Sequence, residues 1–307
     1  MTAPLTWVVG AGGLLGQHVV AALDGRAPRF AAPPIPWSEP ERARAVLADA
    51  AASFVGKAGD QPWQVIWCAG AGVTGTSKED LDNELAALSA ALEGLGGGPR
   101  GAVFFASSAG GVYAGVGFPP YTEVSPVRPL APYGFAKLEA ERIVTDWAMR
   151  TGTSALIGRI ANIYGPGQNL DKPQGLVSQL CASFLKRRAS HIWSSLDTLR
   201  DYVFVADCAE LVLDALDRLR AETSDRPQVV TKIFASGRSM SIASVIGELR
   251  LVFRRRPLIV LGASPTSAMQ ARDLSMHSLV WPELDRRSWT PFTVGAMRTL
   301  DDLRRQD

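Results

Sequence analysis

A tyrosine and a lysine stand four residues apart in Tyr133-Gly-Phe-Ala-Lys137, and the stretch that follows, residues 138–150, has a helical apolar pattern. On a helix that spacing puts phenol and ammonium on one face. A phenol is ordinarily a poor base at neutral pH, and a close cation favours its anion by Coulomb attraction. Such a pair can exchange a proton with a substrate hydroxyl while hydride moves to or from a nicotinamide ring. Upstream lies Ala106-Ser107-Ser108-Ala109-Gly110-Gly111-Val112-Tyr113. Hydroxyls at the C-terminal end of a parallel strand face a ligand crevice, so Ser108 is the candidate to hold the reacting oxygen, with Ser107 free to bond the backbone. The plainer alternatives are a surface lysine on an exposed helix and serines that make only local hydrogen bonds.

A second constellation is Gly10, Gly13 and Gly16, spaced GxxGxxG between the first apolar run and the first helical pattern. Such a turn needs torsions that only glycine reaches cheaply. A pyrophosphate must also approach main-chain N–H groups at a helix N-terminus with no Cβ in the way. The position, in the first βα unit, is the one a dinucleotide fingerprint requires. An acid at the end of the next strand would complete it, and none is present: Asp24 ends the first helix, and Glu39 lies beyond a proline-rich stretch. Arg26 and Arg29 could meet a 2′-phosphate or be solvated, which leaves NAD and NADP both open.

These groups need a scaffold. Strand-like runs at residues 5–10, 64–69, 102–107 and 154–160 alternate with helical patterns at 14–23, 39–54, 78–95 and 133–150. That alternation predicts right-handed βαβ units and a doubly wound parallel α/β sheet of the Rossmann type. Residues 26–37 show no clean strand pattern. Past Asn162 come a turn-rich loop at 165–173, helices at 175–188 and 207–220, and a strand, helix and strand at 229–235, 242–253 and 258–261. Residues 1–161 therefore read as the dinucleotide-binding domain. Residues 162–307 read as a smaller interleaved C-terminal substrate lobe, with about 200–220 returning to the Rossmann core.

Composition narrows the classes further. The 307 residues are 47% hydrophobic and 20% charged with a net charge of +2, which excludes a disordered chain and gives no nucleic-acid footprint. No apolar run reaches the length of a membrane span, and the first residues lack a signal-peptide pattern. A cytoplasmic location is the expectation. Cys68, Cys181 and Cys208 form neither a disulfide framework nor a metal pair, and His18, His191 and His277 have no ligand spacing, so no metal is expected. Arg254-Arg255-Arg256 reads as a solvated turn, Trp67 and Cys68 as core, and Asp82-Asn83 as an anchor for nearby loops.

Taken in order, VVGAGGLLGQH, FFASSAGGVY, YGFAK, GRIANIYGPGQ and RDYVFVADCAEL resemble the successive motifs of extended short-chain dehydrogenases/reductases. The likeness is to the NAD-dependent epimerase/dehydratase group typified by UDP-galactose 4-epimerase. It runs to about Leu219, with a weaker echo at 281–300. The resemblance implies an NAD(P) cofactor whose pyrophosphate lies along Gly10, Gly13, Leu14, Leu15 and Gly16, with Ala69 and Gly70 bordering the adenosine-side ribose. It implies Ser108, Tyr133 and Lys137 as the catalytic set, with Lys137 also on the nicotinamide ribose. Asn162 and Arg200 would meet the sugar and its diphosphate; a structural ion pair is the alternative for Arg200. A homodimer through 78–95 and 133–150 is likewise implied. The chain departs from the pattern by one extra residue before Val112-Tyr113, and Ala109-Gly110-Gly111 lacks the carboxylates of dehydratases and decarboxylases. Nucleotide-sugar epimerisation is the leading expectation. Reduction of a keto-sugar or other small carbonyl compound is the alternative, and non-catalytic dinucleotide sensing the third.

Overall fold

The structure, a computed structural model, describes residues 2–73, 75–171, 174–222, 227–262 and 271–306. Its centre is a parallel sheet in the order β1-β2-β3-β4-β8: β1 Leu5–Val9, β2 Trp63–Trp67, β3 Gly101–Ser108, β4 Ser154–Ile160 and β8 Val229–Phe234. Every residue of β1 and β2 is buried, as expected of strands covered on both faces. One cover is built from α2 (Pro40–Ala58), α3 (Lys78–Leu95) and α5 (Pro132–Thr151), which share a core with Trp7, Val65 and Phe105. The other is α1 (Leu14–Leu23) and α7 (Val205–Ala221), packed on Val8, Ile66, Phe104 and Leu156.

Local signals set these helices. Ser77 caps α3, accepting from the Asp80 amide at 3.1 Å, and Gly96 at φ 65° follows its end. Pro132 opens α5, where its missing N–H costs nothing, and left-handed Gly152 closes it. A five-residue helix that the sequence does not announce, α4 (Ala109–Tyr113), follows β3 directly with Ser108 as its cap.

The weak stretch at 26–37 turns out to hold a rudimentary strand. The Thr6 amide donates to Pro28 O at 2.8 Å and the Phe30 amide to Thr6 O at 2.8 Å, so Arg29 bridges Thr6 in parallel. The chain therefore leaves β1 to one side and returns as β2 on the other. The end of β1 is a topological switch point, where open α/β sheets bind ligands.

A second sheet, β11-β7-β5 with β9 beside β7, carries β5 Asn162–Tyr164, β7 Leu199–Phe204, β9 Ser239–Ser241 and β11 Asp273–Leu274. A small parallel pair, β6 (Ser190–Ile192) and β10 (Ile259–Leu261), stands apart. Helices α6 (Leu176–Leu185), α8 (Ile242–Phe253) and α10 (Phe292–Gln306) enclose a third core around Tyr164, Leu180 and Leu300. A short α9 (Pro282–Asp285) sits near α7. Of the chain after Asn162, α7 covers the main sheet and β8 is one of its strands, whereas β7 belongs to the second sheet. The fully buried Lys232 of β8 reaches Asp285 at 2.7 Å and Ser278 at 2.8 Å, tying the C-terminal segment down. The turn-rich loop expected at 165–173 is described to Asp171; its last two positions lie outside the described residues. Among the described residues no helix is long and apolar enough to cross a membrane, and no His/Cys/Asp/Glu group could hold a metal. The three cysteines are free.

Candidate active site

The glycine turn is tight for identifiable reasons. A Cβ on Gly16 would sit 2.1 Å from Gly10 O, and one on Gly10, whose φ is +82°, would sit 2.6 Å from the Ala69 amide nitrogen. Neither position can carry a side chain, because the opposing atoms are backbone. Gly12 faces open space. Gly13 caps α1 without a side-chain bond, and the first turn of that helix holds no acid. The amides of Leu14, Leu15 and Gly16 lack intrahelical partners, as at any helix start, and with the dipole they favour an anion. Leu15 turns its side chain into the core, so only its backbone is available there.

From this turn a cleft of about 610 Å³ runs across the strand ends to the Tyr-Lys helix. Gly10, Gly13, Ala69, Gly70, Tyr133 and Lys137 all line it. Tyr133 and Lys137 converge: the Lys137 ammonium lies 5.7 Å from the Tyr133 ring centroid and 5.2 Å from that of Phe105. Lys137 donates to Ala106 O at 3.3 Å, a long bond that leaves its other N–H groups for a ligand. The Tyr133 hydroxyl bonds nothing among the described residues. Its ring stands edgewise between Gly72 and Gly111, each of which would push a Cβ to within 3.1–3.2 Å of it. Gly134 has its own reason: a Cβ there would meet Gly111 O at 2.2 Å, so α5 starts hard against α4.

The two serines part company. Ser107 is buried and donates to Glu141 Oε1 at 2.5 Å. Glu141 is in turn held by Arg159 at 2.7 Å, and Arg159 donates to the Tyr113 hydroxyl at 2.7 Å. Burial pushes the Tyr113 phenol up, against the pull of Arg159. This buried group pins β3, β4, α4 and α5 together. Ser108 is half-buried and not part of the cleft lining, its Oγ accepting from the Gly111 amide at 3.1 Å. The Gly111 Cβ position is 3.3 Å from Ser108 Oγ and 3.2 Å from the Tyr133 ring, so the two side chains are neighbours.

Asn162 and Arg200 fall elsewhere. Asn162 is exposed at the start of β5, opposite Tyr202 of β7. Arg200 is half-buried on β7 and donates to Leu199 O at 2.7 Å, with no ion pair among the described residues. Burial lowers its pKa, with Tyr202 and Asp273 opposing. Neither residue lines the cleft that holds Tyr133. Arg26 also lies away from it. It pairs with Glu210 at 2.5 Å and borders a separate cavity of about 220 Å³ with Gln64 and Arg220, so it is no candidate for a 2′-phosphate.

Three lining residues escape a sequence reading. Glu84 Oε1 accepts from the Ala71 and Gly72 amides at 2.6 and 2.8 Å and so holds the loop that flanks Tyr133. Its one signal was adjacency to Asp82-Asn83 in the loop-facing turn of α3. Asp80 and Trp37 also line the cleft; Trp37 stands in the proline-rich stretch that no periodicity organises.

The family model "NAD dependent epimerase/dehydratase family" matches residues 6–230. A putative UDP-glucose 4-epimerase of Methanocaldococcus jannaschii is 33% identical over 115 residues, 38% of either chain. A dTDP-4-dehydro-6-deoxyglucose reductase of Escherichia coli is 29% identical over 115 residues, 38% of this chain and 36% of that one. The matches thus span well under half the length of these relatives. Among solved structures, a UDP-N-acetylglucosamine 4-epimerase from Methanobrevibacter ruminantium superposes with a TM-score of 0.80 at 20% identity over 100% of each chain, a likeness of fold.

Proposed function

The chain belongs to the NAD dependent epimerase/dehydratase family, and from that premise and the cleft we propose that it epimerises a nucleotide sugar with Tyr133 as acid/base. The family is NAD dependent, and the glycine turn fits a dinucleotide: Gly10 and Gly16 are closed to a Cβ, and three helix-start amides sit beside the open Gly12. When bound, the nicotinamide ring accepts and returns a hydride. Gly10, Gly13 and the amides of Leu14, Leu15 and Gly16 would hold the pyrophosphate, with Ala69 and Gly70 alongside. Lys137 would donate to the nicotinamide ribose with the N–H groups that Ala106 leaves free.

Tyr133 carries the proton. As the phenolate its unbonded oxygen takes the proton of the substrate hydroxyl while the carbon gives up a hydride, and as the phenol it returns that proton when the hydride comes back. The Lys137 ammonium stands 5.7 Å from the centre of the Tyr133 ring. Ser108 bonds the reacting oxygen, and Ser107 cannot, being committed to Glu141. For Asn162 and Arg200, which lie outside the cleft that holds Tyr133, a place on the sugar and its diphosphate rests on the family resemblance and on the fit of an Arg fork to phosphate. The carrying observation is that Tyr133 and Lys137 line the same cleft as the glycine turn, with Ser108 beside the Tyr133 ring across Gly111.

Reduction of a keto-sugar is the second reading, supported by the relative named a reductase. A panel of UDP- and dTDP-sugars with NAD⁺, followed by NMR, separates them: an epimerase changes epimer ratios with no net oxidation of added NAD(P)H. Tyr133→Phe is expected to lower turnover by about 10²–10⁴-fold, with dinucleotide affinity kept within about threefold. Unchanged turnover in that variant would remove Tyr133 from the chemistry.

A further inference from the structure

The register of the rudimentary strand decides what meets the far half of the cofactor. Arg29 stands opposite Thr6 near the start of β1 and the pairing stops at Phe30, so the chain that runs on from there is Ala31-Ala32-Pro33-Pro34. The end of the second strand, where a carboxylate or an arginine would read the adenosine ribose, therefore carries Ala-Pro-Pro. Glu39, the next acid after Asp24, lies outside the cleft lining, paired with Arg42 at 3.2 Å. What the cleft offers at this end is Trp37, with Pro40 and Ala43 behind it. The Trp37 side chain is 48% exposed and has no hydrogen bond or ring partner among the described residues. Its loop is stiffened by Pro33, Pro34 and Pro36 and by bonds from the Trp37 amide to Ile35 O and the Glu39 amide to Pro36 O.

We propose that Trp37 is the platform on which the adenine of the dinucleotide stacks, replacing recognition by a charged residue at the end of the second strand. An indole gives a base a flat apolar face, and stacking of this kind does not depend on a ribose-reading charge. This rests on the cofactor reading above and deepens it: the cleft grips the adenine by its π-face and leaves the 2′ position unread.

The test is isothermal titration of NAD⁺ and of ADP-ribose, which lacks nicotinamide, into the full chain as wild type, Trp37→Ala and Trp37→Phe, with unfolding temperatures taken alongside. Trp37→Ala is expected to weaken both ligands by about ten- to a hundredfold at an unchanged unfolding temperature, and Trp37→Phe to retain most of the affinity. Equal affinity in wild type and Trp37→Ala overturns the stacking role while leaving the cofactor reading intact. A Phe variant as weak as the Ala variant overturns it too. Failure of wild type to bind either ligand overturns the cofactor reading and the platform together.

Discussion

Tyr133 has a glycine against each edge of its ring, and a methyl group added at Gly111 would press at once on that ring and on Ser108 Oγ. The neighbours must yield by a few tenths of an ångström, and active-site geometry is sensitive at that scale. Gly111→Ala is expected to lower turnover about tenfold, with dinucleotide affinity within about twofold and the unfolding temperature within a few degrees. Steady-state kinetics with a titration of NAD⁺ check it, and undiminished turnover would show that the ring has room to move. The Tyr-Lys pair was legible from spacing alone, because a helix fixes which residues share a face. The division of labour between Ser107 and Ser108 was not. It is set by Glu141, 34 positions away, and Arg159, 52 positions away from Ser107, whose approach is a tertiary fact.

At the scale of elements, α1 must start within contact of the turn before it, and Gly16 is what permits this. Its Cβ would enter the space of the Gly10 carbonyl, so Gly16→Ala has to displace the helix from β1. A cost of about 1–3 kcal/mol in stability is expected, together with loss of dinucleotide binding, since the helix-start amides move with the helix. Urea denaturation and titration of NAD⁺ measure the two effects. Binding that survives unchanged would place the pyrophosphate elsewhere. Long elements with sustained apolar period, such as α3, β4 and α8, fall where the pattern puts them. Helix α4 does not announce itself because five residues with two glycines carry no period. The strand remnant around Arg29 is invisible for a different reason: a single bridge flanked by prolines leaves no alternation to read.

The molecule as a whole buries phenols and thiols deeply enough that desolvation outweighs the arginines near several of them, such as Arg159 beside Tyr113 and Arg287 near Cys208. Burial pushes Tyr202 up to about 12 and Cys181 and Cys208 up to about 12, and raises Tyr164 and Tyr113 as well. The sign follows from which state ionises first. Above pH 9 for thiols and 10 for phenols the unfolded chain releases protons that the folded chain keeps, so the stability these groups confer is complete below those values. It is lost as pH rises toward the folded values. The urea midpoint is expected to hold between pH 7 and about 8.5 and to fall steadily from about 9 to 11, with tyrosinate absorbance rising in step with unfolding. A midpoint unchanged at pH 10.5 would contradict it. The flank of the main sheet beside β1 has a consequence of another kind. Among the described residues no strand lies beyond the Arg29 bridge, and an open flank ordinarily invites another chain to pair with it. Here Pro28, Pro33, Pro34 and Pro36 strip hydrogen-bond donors from that border, so the short proline-rich loop that leaves the sheet unfinished also keeps it from growing into an aggregate.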